Sequence, residues 1–218
     1  MYALRPGLSF CVIDDTTLFL DVPRDRYFAL SPDLSRTFAD IADALRMGRM
    51  IDPTLTRPLL ARNVLIETGG SHRSWVPTLT PPRTEWRSPS VDQPGLGSVL
   101  RALLCITRTC IRLRLLPLRA VVGAERTEPS RPPTSDRKLD RLMTAFSSSL
   151  KIWPWQLECL PMSIALKSFL AACDVDADLI FAVKLNPFAA HCWVQIGDRV
   201  MGDTLEHVSP FTPIRRTR

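Results

Sequence analysis

A cysteine, a histidine and an aspartate in the C-terminal third of the chain have the types and the order that catalysis by a thiol requires. Cys159 precedes a helix-like run, His191 begins a strand-like run 32 residues later, and Asp203 follows after 12 more. A thiol becomes a useful nucleophile when a helix N-terminus and an imidazole favour its thiolate. A carboxylate can hold that imidazole in the required tautomer. The sequence therefore predicts an enzyme with Cys159 as nucleophile, His191 as base and Asp203 as the orienting carboxylate.

The segment after Cys159 has the apolar spacing of an amphipathic helix. Its apolar residues are Met162, Leu166, Phe169, Leu170 and Cys173. Pro161 is compatible with a first helical turn, because the amide that proline lacks would be unpaired there. At such a helix start, free N–H groups favour an anionic sulfur, and the Cys159 backbone N–H is a candidate oxyanion donor. Gln156 is a second candidate donor, with a solvated loop glutamine as the alternative. The alternative for Cys159 is a small buried apolar residue.

Two strand-like runs, residues 177–185 and 191–196, decide whether Asp203 can reach His191. In the second run Cys192, Val194 and Ile196 share one face, so His191 lies on the other. Gly197 and Asp198 mark the turn back. A two-residue turn would pair Asp203 with Cys192, on the wrong face for His191. Three loop residues would place Asp203 across from His191 and would keep Cys192, Val194 and Val200 together. We therefore predict an odd-numbered loop or a bulge.

These motifs resemble a known family. The stretches ECLPMSIALKSFLAA and LIFAVKLNPFAAHCWVQIGDRVMGD resemble the C-terminal transglutaminase-like domain of the B proteins of lasso-peptide biosynthesis. Those proteins are cysteine proteases that remove the leader from a ribosomally made precursor. The resemblance covers residues 155–214 and places Cys159, His191 and Asp203 at the triad positions of the family. Cys192 departs from the family's usual alanine, and Gln195 from its usual glutamate.

The N-terminal third predicts three strands followed by helices. Residues 8–14, 17–22 and 27–30 are short β-rich runs. Ser31-Pro32 begins one helix and Asp52-Pro53 a second. This order is typical of a small winged-helix domain. With the text TLFLDVPRDRYFALS, it resembles the leader-recognition domain, similar to the PQQ-biosynthesis chaperone, that is fused to the peptidase in many B proteins.

We therefore predict an α+β chain of two domains. A winged-helix-like leader-recognition domain is expected over residues 1–70, a linker over 71–94, and a papain- or transglutaminase-like cysteine peptidase domain over 95–218. The linker is rich in proline, serine, threonine and arginine.

The resemblance implies that the first domain binds the precursor leader by strand addition, because an exposed edge strand offers unpaired N–H and C=O groups to an extended peptide. The implied edge is the third strand, and the helix of residues 54–62 is the other wall. The implied leader-binding residues are Tyr27, Phe28, Ala29, Leu30, Leu55 and Leu59. From the pattern alone, these are equally compatible with an ordinary core.

Composition argues against several other partners. The net charge is +6, but residues 1–80 carry nine basic and nine acidic side chains, so we expect no nucleic-acid binding. Residues 99–118 have helical apolar spacing interrupted by arginines and no apolar run near the ~20 residues of a membrane span. We expect this helix to pack on the peptidase domain, with a membrane-surface helix as the alternative.

The cysteines and histidines indicate a reduced protein without a metal. The six cysteines have no disulfide-framework spacing, no Cys-x-x-Cys motif occurs, and His72 and His207 are interpreted as incidental. No glycine-rich phosphate loop is present, so no cofactor is expected. Residues 1–9 lack the apolar run of a secretory signal, so a cytoplasmic location is predicted.

The resulting hypothesis is hydrolysis of the leader from a lasso-peptide precursor before cyclisation. The resemblance further implies an ATP-dependent partner, a cyclase that resembles asparagine synthetase. Two alternatives stay open: a transglutaminase-like acyltransferase using the same three residues, and a non-catalytic scaffold that only binds the leader.

Overall fold

The computed structural model describes residues 2–47, 49–69, 81–87, 94–122 and 135–217. The chain divides into two compact units, Met1–Thr78 and Leu79–Arg218. The division falls inside the segment predicted as a linker. Both units combine helices with sheet, as expected for an α+β protein.

The described part of the first unit contains five strands and two α-helices. Its elements are β1 (Tyr2–Leu4), β2 (Leu8–Ile13), β3 (Thr16–Asp21), β4 (Arg26–Ala29), α1 (Pro32–Arg46), α2 (Pro53–Ala61) and β5 (Leu65–Glu67), with a short 3-10 helix over Val22–Arg24. An antiparallel sheet has the order β2-β3-β4, and β1 pairs with β5 in a separate antiparallel ladder. Asp14 and Asp15, both at positive φ, form the two-residue turn between β2 and β3.

Aromatic side chains form the centre of the first unit. Phe10 and Phe19 each contact Phe38 edge-on, at centroid separations of 4.9 and 5.2 Å. Phe38 comes from α1, so this cluster joins the helix to the sheet. Asp21 is wholly buried, and its carboxylate is held by Arg5 at 2.6 Å, which satisfies an otherwise costly buried charge.

The described part of the second unit has a five-stranded sheet with its three long helices on one face. Its elements are β6 (Thr84–Glu85), α3 (Leu96–Leu115), α4 (Leu118–Val122), α5 (Asp136–Ile152), α6 (Cys159–Ala171), β7 (Asp178–Lys184), β8 (Ala189–Ile196), β9 (Arg199–Met201), α7 (Leu205–Val208) and β10 (Thr212–Thr217). The strand order is β10-β7-β8-β9-β6, with β6 parallel to β9 and the other pairs antiparallel.

Each face of this sheet has its own apolar cluster. On one face, α3, α5 and α6 pack together through residues such as Ile106, Phe146 and Phe169, and Val194 joins them from β8. On the other face, Trp193 and Val200 pack with Val208 of α7. Since consecutive residues of β8 alternate between the two clusters, the strand holds its side chains in a determined register.

Helix α3 packs on the rest of the second unit, as predicted for residues 99–118. Val99, Ala102 and Ile106 are buried against α5 and α6, whereas Leu100 and Arg108 are exposed. Within the described ranges, no helix combines the length and the apolar character that crossing a bilayer needs.

Part of the predicted linker belongs to the second unit. Thr84 and Glu85 form β6 beside β9, and the indole N–H of Trp86 donates to Asp140 at 2.8 Å. The linker interpretation is therefore wrong for these residues. Two residues are too few to show the alternating pattern of a strand. This strand could not be predicted locally, because it forms only by pairing with the backbone of β9.

The predicted odd-numbered loop between β8 and β9 is also wrong. Ile196 pairs with Arg199, which leaves the two-residue turn Gly197-Asp198. Val200 consequently packs with Trp193, on the face opposite Val194. The prediction had placed Val200 with Cys192 and Val194. The ladder ends at Met201, and Gly202 at φ 74° turns the chain before Asp203.

Two glycines near this turn allow a matched test of the strain that Gly202 avoids. A Cβ at Gly202 would lie 3.0 Å from the Leu166 side chain, which is buried in the core, whereas a Cβ at Gly197 (φ 62°) would meet nothing within 4 Å. We expect Gly197→Ala to lower the free energy of unfolding by about 1 kcal/mol, from left-handed backbone strain alone. Gly202→Ala should cost roughly 2–3 kcal/mol, because overpacking is added. Urea denaturation measures both, and equal losses would contradict this explanation.

Candidate active site

The structure brings His191 and Asp203 into direct contact. His191 lies on β8 and is 8% exposed, and Asp203 lies two residues beyond the end of β9. The distance between His191 Nε2 and Asp203 Oδ2 is 2.7 Å. The turn at Gly202 makes this contact possible, because continued pairing with β8 would have placed Asp203 opposite Cys192.

Asp203 also contacts a second histidine. Its Oδ1 accepts the backbone N–H of Thr204 at 2.8 Å and lies 2.9 Å from Nδ1 of His207. The ring centroids of His191 and His207 are 4.5 Å apart, and the ring centroid of Phe211 lies 5.2 Å from that of His191. The carboxylate thus bridges two imidazoles.

The interpretation of His207 as incidental is therefore wrong. His207 lies on α7, four residues after Asp203, and this i,i+4 spacing places two side chains on the same side of a helical turn. The spacing alone was the available signal. That spacing did not identify His207 as a site residue, because the sequence did not predict a helix after Asp203.

Cys159 is the first residue of α6, with Glu158 as the N-cap. The pKa of Cys159 is lowered to about 4, first by a hydrogen bond from the Cys192 thiol and then by one from His191, while partial burial opposes the shift. Since Nε2 of His191 is bonded to Asp203, Nδ1 is the ring nitrogen left for the sulfur. The start of α6 adds the positive end of the helix dipole.

The pKa of His191 is shifted the opposite way. Burial, the largest single effect, lowers it, but the hydrogen bonds to Asp203 and to Cys159 together raise it to about 9. Burial also raises the pKa of Asp203, yet its hydrogen bonds to His191, Thr204 and His207 leave that pKa below its ordinary value. Between about pH 4 and pH 9, Cys159 and His191 therefore form a thiolate–imidazolium pair. Such a pair is the reactive form of a thiol nucleophile.

The two predicted oxyanion donors differ in how well they are positioned. The side chain of Gln156 is exposed in the segment before α6. The backbone N–H of Cys159 lies in the first turn of the helix, where amides have no intrahelical acceptor. Of the two predicted oxyanion donors, the backbone N–H has the more suitable position.

The six predicted leader-binding residues divide into surface and core. Tyr27 and Phe28 are half-buried on β4, Ala29 is exposed, and Leu55 on α2 is 44% exposed. Leu30 and Leu59 are buried in the core of the first unit, Leu59 completely, so neither offers a surface to a ligand. Helical spacing alone did not distinguish the buried Leu59 from the exposed Leu55, because burial depends on which other elements pack over each residue.

Strand β4 lies at an edge of its sheet. It pairs with β3 on one side, and no strand among the described residues pairs with its other side.

The two imidazoles and the carboxylate have the ligand types of a metal site, and their ligand atoms lie within 4.8 Å of one another. Each ring, however, has a nitrogen within hydrogen-bonding distance of an oxygen of Asp203: the distance is 2.7 Å for His191 and 2.9 Å for His207. These short contacts make the cluster a hydrogen-bonded chain, which is the arrangement that orients a catalytic imidazole.

Comparison with known proteins identifies the superfamily of the second unit. A family profile described as the transglutaminase-like superfamily matches residues 102–216, which include Cys159, His191 and Asp203. The match covers more than half of the chain, so the chain belongs to this superfamily.

A particular relative is the microcin J25-processing protein McjB of Escherichia coli. It is 41% identical over 46 residues, which are 21% of this chain and 22% of McjB. The match thus spans about a fifth of that protein's length. No solved structure is detectably similar to the chain.

The charge state of Cys159 predicts an unusual pH profile of alkylation. We expect iodoacetamide to modify Cys159 at a nearly constant rate from pH 5 to pH 8, because the thiolate is lost only near its pKa of about 4. His191→Gln should raise the midpoint by about 1–3 units, since the cationic partner is removed. Mass spectrometry of the peptide that contains Cys159 measures the rate. A profile with the midpoint of an ordinary thiol would contradict the ion pair.

Proposed function

We propose that this protein is a cysteine peptidase that binds the leader of a lasso-peptide precursor and cleaves it from the core peptide before cyclisation. The observation that carries the proposal is the cluster of Cys159, His191 and Asp203, in which a helix-start thiol with a pKa of about 4 adjoins an imidazole held by a carboxylate at 2.7 Å. Membership of the transglutaminase-like superfamily and the partial similarity to a microcin-processing protein support it.

In the proposed mechanism the Cys159 thiolate attacks the scissile carbonyl. The backbone N–H of Cys159 donates to the oxyanion, and Gln156 is the second proposed donor. The His191 imidazolium then protonates the leaving amine, and the neutral ring later deprotonates the water that releases the acyl group. Asp203 holds the ring orientation and stabilises the imidazolium throughout.

The N-terminal unit is proposed to be the winged-helix-like module that holds the leader. Strand β4 is proposed to pair with the leader by strand addition, because its outer edge has no partner strand in the described part of the chain. Ala29 and the half-buried Tyr27 and Phe28 lie on this strand, and Leu55 is the exposed leucine of α2. Holding the leader would raise the local concentration of the scissile bond at Cys159.

The freed core peptide would pass to an ATP-dependent cyclase of the asparagine-synthetase type, which we propose as the partner protein. Nucleic acid is not a proposed partner, because residues 1–80 carry equal numbers of basic and acidic side chains.

The direct test is cleavage of a precursor peptide by the purified full chain, in the presence and absence of the cyclase. We expect the masses of free leader and free core with the unaltered protein, and no cleavage with Cys159→Ala, because the nucleophile is gone. Cys110→Ala, on helix α3 rather than on an element that carries a triad residue, is the matched control and should cleave normally. Intact precursor under both conditions would contradict the proposal. A product in which an amine has replaced water would instead identify an acyltransferase.

Leader binding can be tested separately from cleavage. We expect Leu55→Asp to weaken binding of a fluorescent leader peptide by about tenfold or more, because a charge would have to be desolvated where the leader packs on α2. Val12→Asp is the control, since Val12 is similarly exposed (51%, against 44% for Leu55) but lies on β2, at the other edge of the sheet. Fluorescence anisotropy measures both affinities. Equal affinities for the two variants would place the leader elsewhere.

A further inference from the structure

Cys192 approaches the nucleophile from the strand that carries His191. Strand β7 pairs with β8 along one edge, but β9 pairs with the other edge only from Val194 to Ile196. No strand among the described residues pairs with that second edge at Cys192, where α6 lies beside it. The hydroxyl of Ser163, in the first turns of α6, donates to the carbonyl of Cys192 at 3.0 Å.

The direction of this carbonyl determines the direction of the Cys192 amide. In an extended strand, the N–H and C=O of one residue point to the same side. Because the carbonyl points towards α6, the N–H does too, and its hydrogen bond to Cys159, the first residue of that helix, is one of the causes that lower the pKa of Cys159. The hydrogen bond from the thiol of Cys192 is the largest of the causes that lower this pKa.

Burial makes the Cys192 thiol a more effective donor than an exposed thiol. The residue is 2% exposed, so water does not compete for its hydrogen bond to Cys159. The hydrogen bond to Cys159 and then burial raise the pKa of Cys192 far above that of an ordinary thiol. Cys192 therefore keeps its proton while Cys159 is ionised, and the two sulfurs share one negative charge and one proton.

We propose that Cys192 is a positioning residue which holds the Cys159 sulfur as a thiolate by donating both its S–H and its backbone N–H. The site would thus have two donors beyond the imidazole, and the thiolate would persist even when His191 is neutral. The role deepens the proposed peptidase function, but it concerns the ionisation of Cys159 and can be measured without any substrate.

The test uses three substitutions at one position. Cys192→Ala and Cys192→Val keep the N–H but remove the side-chain donor, and valine also fills the buried space. Cys192→Ser keeps a small donor. The readout is the pH dependence of Cys159 alkylation by iodoacetamide in the full chain, with circular dichroism to establish that each variant is folded.

We expect alanine and valine to raise the midpoint of the profile by about one unit or more, which is a tenfold smaller thiolate fraction at pH values below the midpoint. Serine should restore most of the difference. Coincident profiles for the unaltered protein and the folded non-donor variants would overturn the proposal. An equal shift for serine and alanine would also overturn it, because packing rather than donation would then be responsible.

This result is separable from the peptidase assignment. A shifted profile in a protein that cleaves no precursor would support the role of Cys192 and contradict the proposed function. Unshifted profiles together with normal cleavage by the unaltered protein would do the reverse. Cys110→Ala, which removes a thiol outside the site, should leave the alkylation profile of Cys159 unchanged.

Discussion

The contact between His191 Nε2 and Asp203 Oδ2, at 2.7 Å, is the interaction on which the arrangement of the site depends. It assigns one ring nitrogen to the carboxylate and leaves the other for Cys159. It also keeps the imidazole charged despite burial, which would otherwise favour the neutral ring. Without it, the thiol at the start of α6 would lack a cationic partner, and only the Cys192 donors and the helix dipole would still favour the thiolate.

Two separate features of the fold bring His191 and Asp203 into contact. Strand β8 has a determined register, since alternate residues pack into opposite apolar clusters, and His191 is placed with Trp193 rather than with Val194. Gly202 then ends the ladder and turns Asp203 back towards the histidine. Thr204 and His207 hold the second carboxylate oxygen, so Asp203 is restrained at both oxygens. Restraint of this kind reduces the reorganisation that a catalytic step would require.

Most of the longer elements could be predicted from the sequence because their periodicity is strong. The helix after Cys159, the first two strands predicted in the N-terminal third and the strand containing His191 all occur as expected. The short strands β1, β6 and β10 were not predicted. Pairing partners distant in sequence form these strands, and β10 even buries Arg215 and joins Arg216 to Asp178 at 2.6 Å. Local patterns contain no information about such partners.

The sequence by itself determined the order and the chemical types of the candidate site: a thiol before an amphipathic helix, an imidazole on one face of a strand, and a carboxylate twelve residues later. It also determined which residues of each element could share a face, because helical and strand periods follow from backbone geometry. Only the tertiary structure decided that the carboxylate leaves the strand at Gly202, that His207 joins it, and that Cys192 lowers the pKa of the nucleophile. These features depend on where one element ends against another, and that end is set by packing across the sheet rather than by any local repeat.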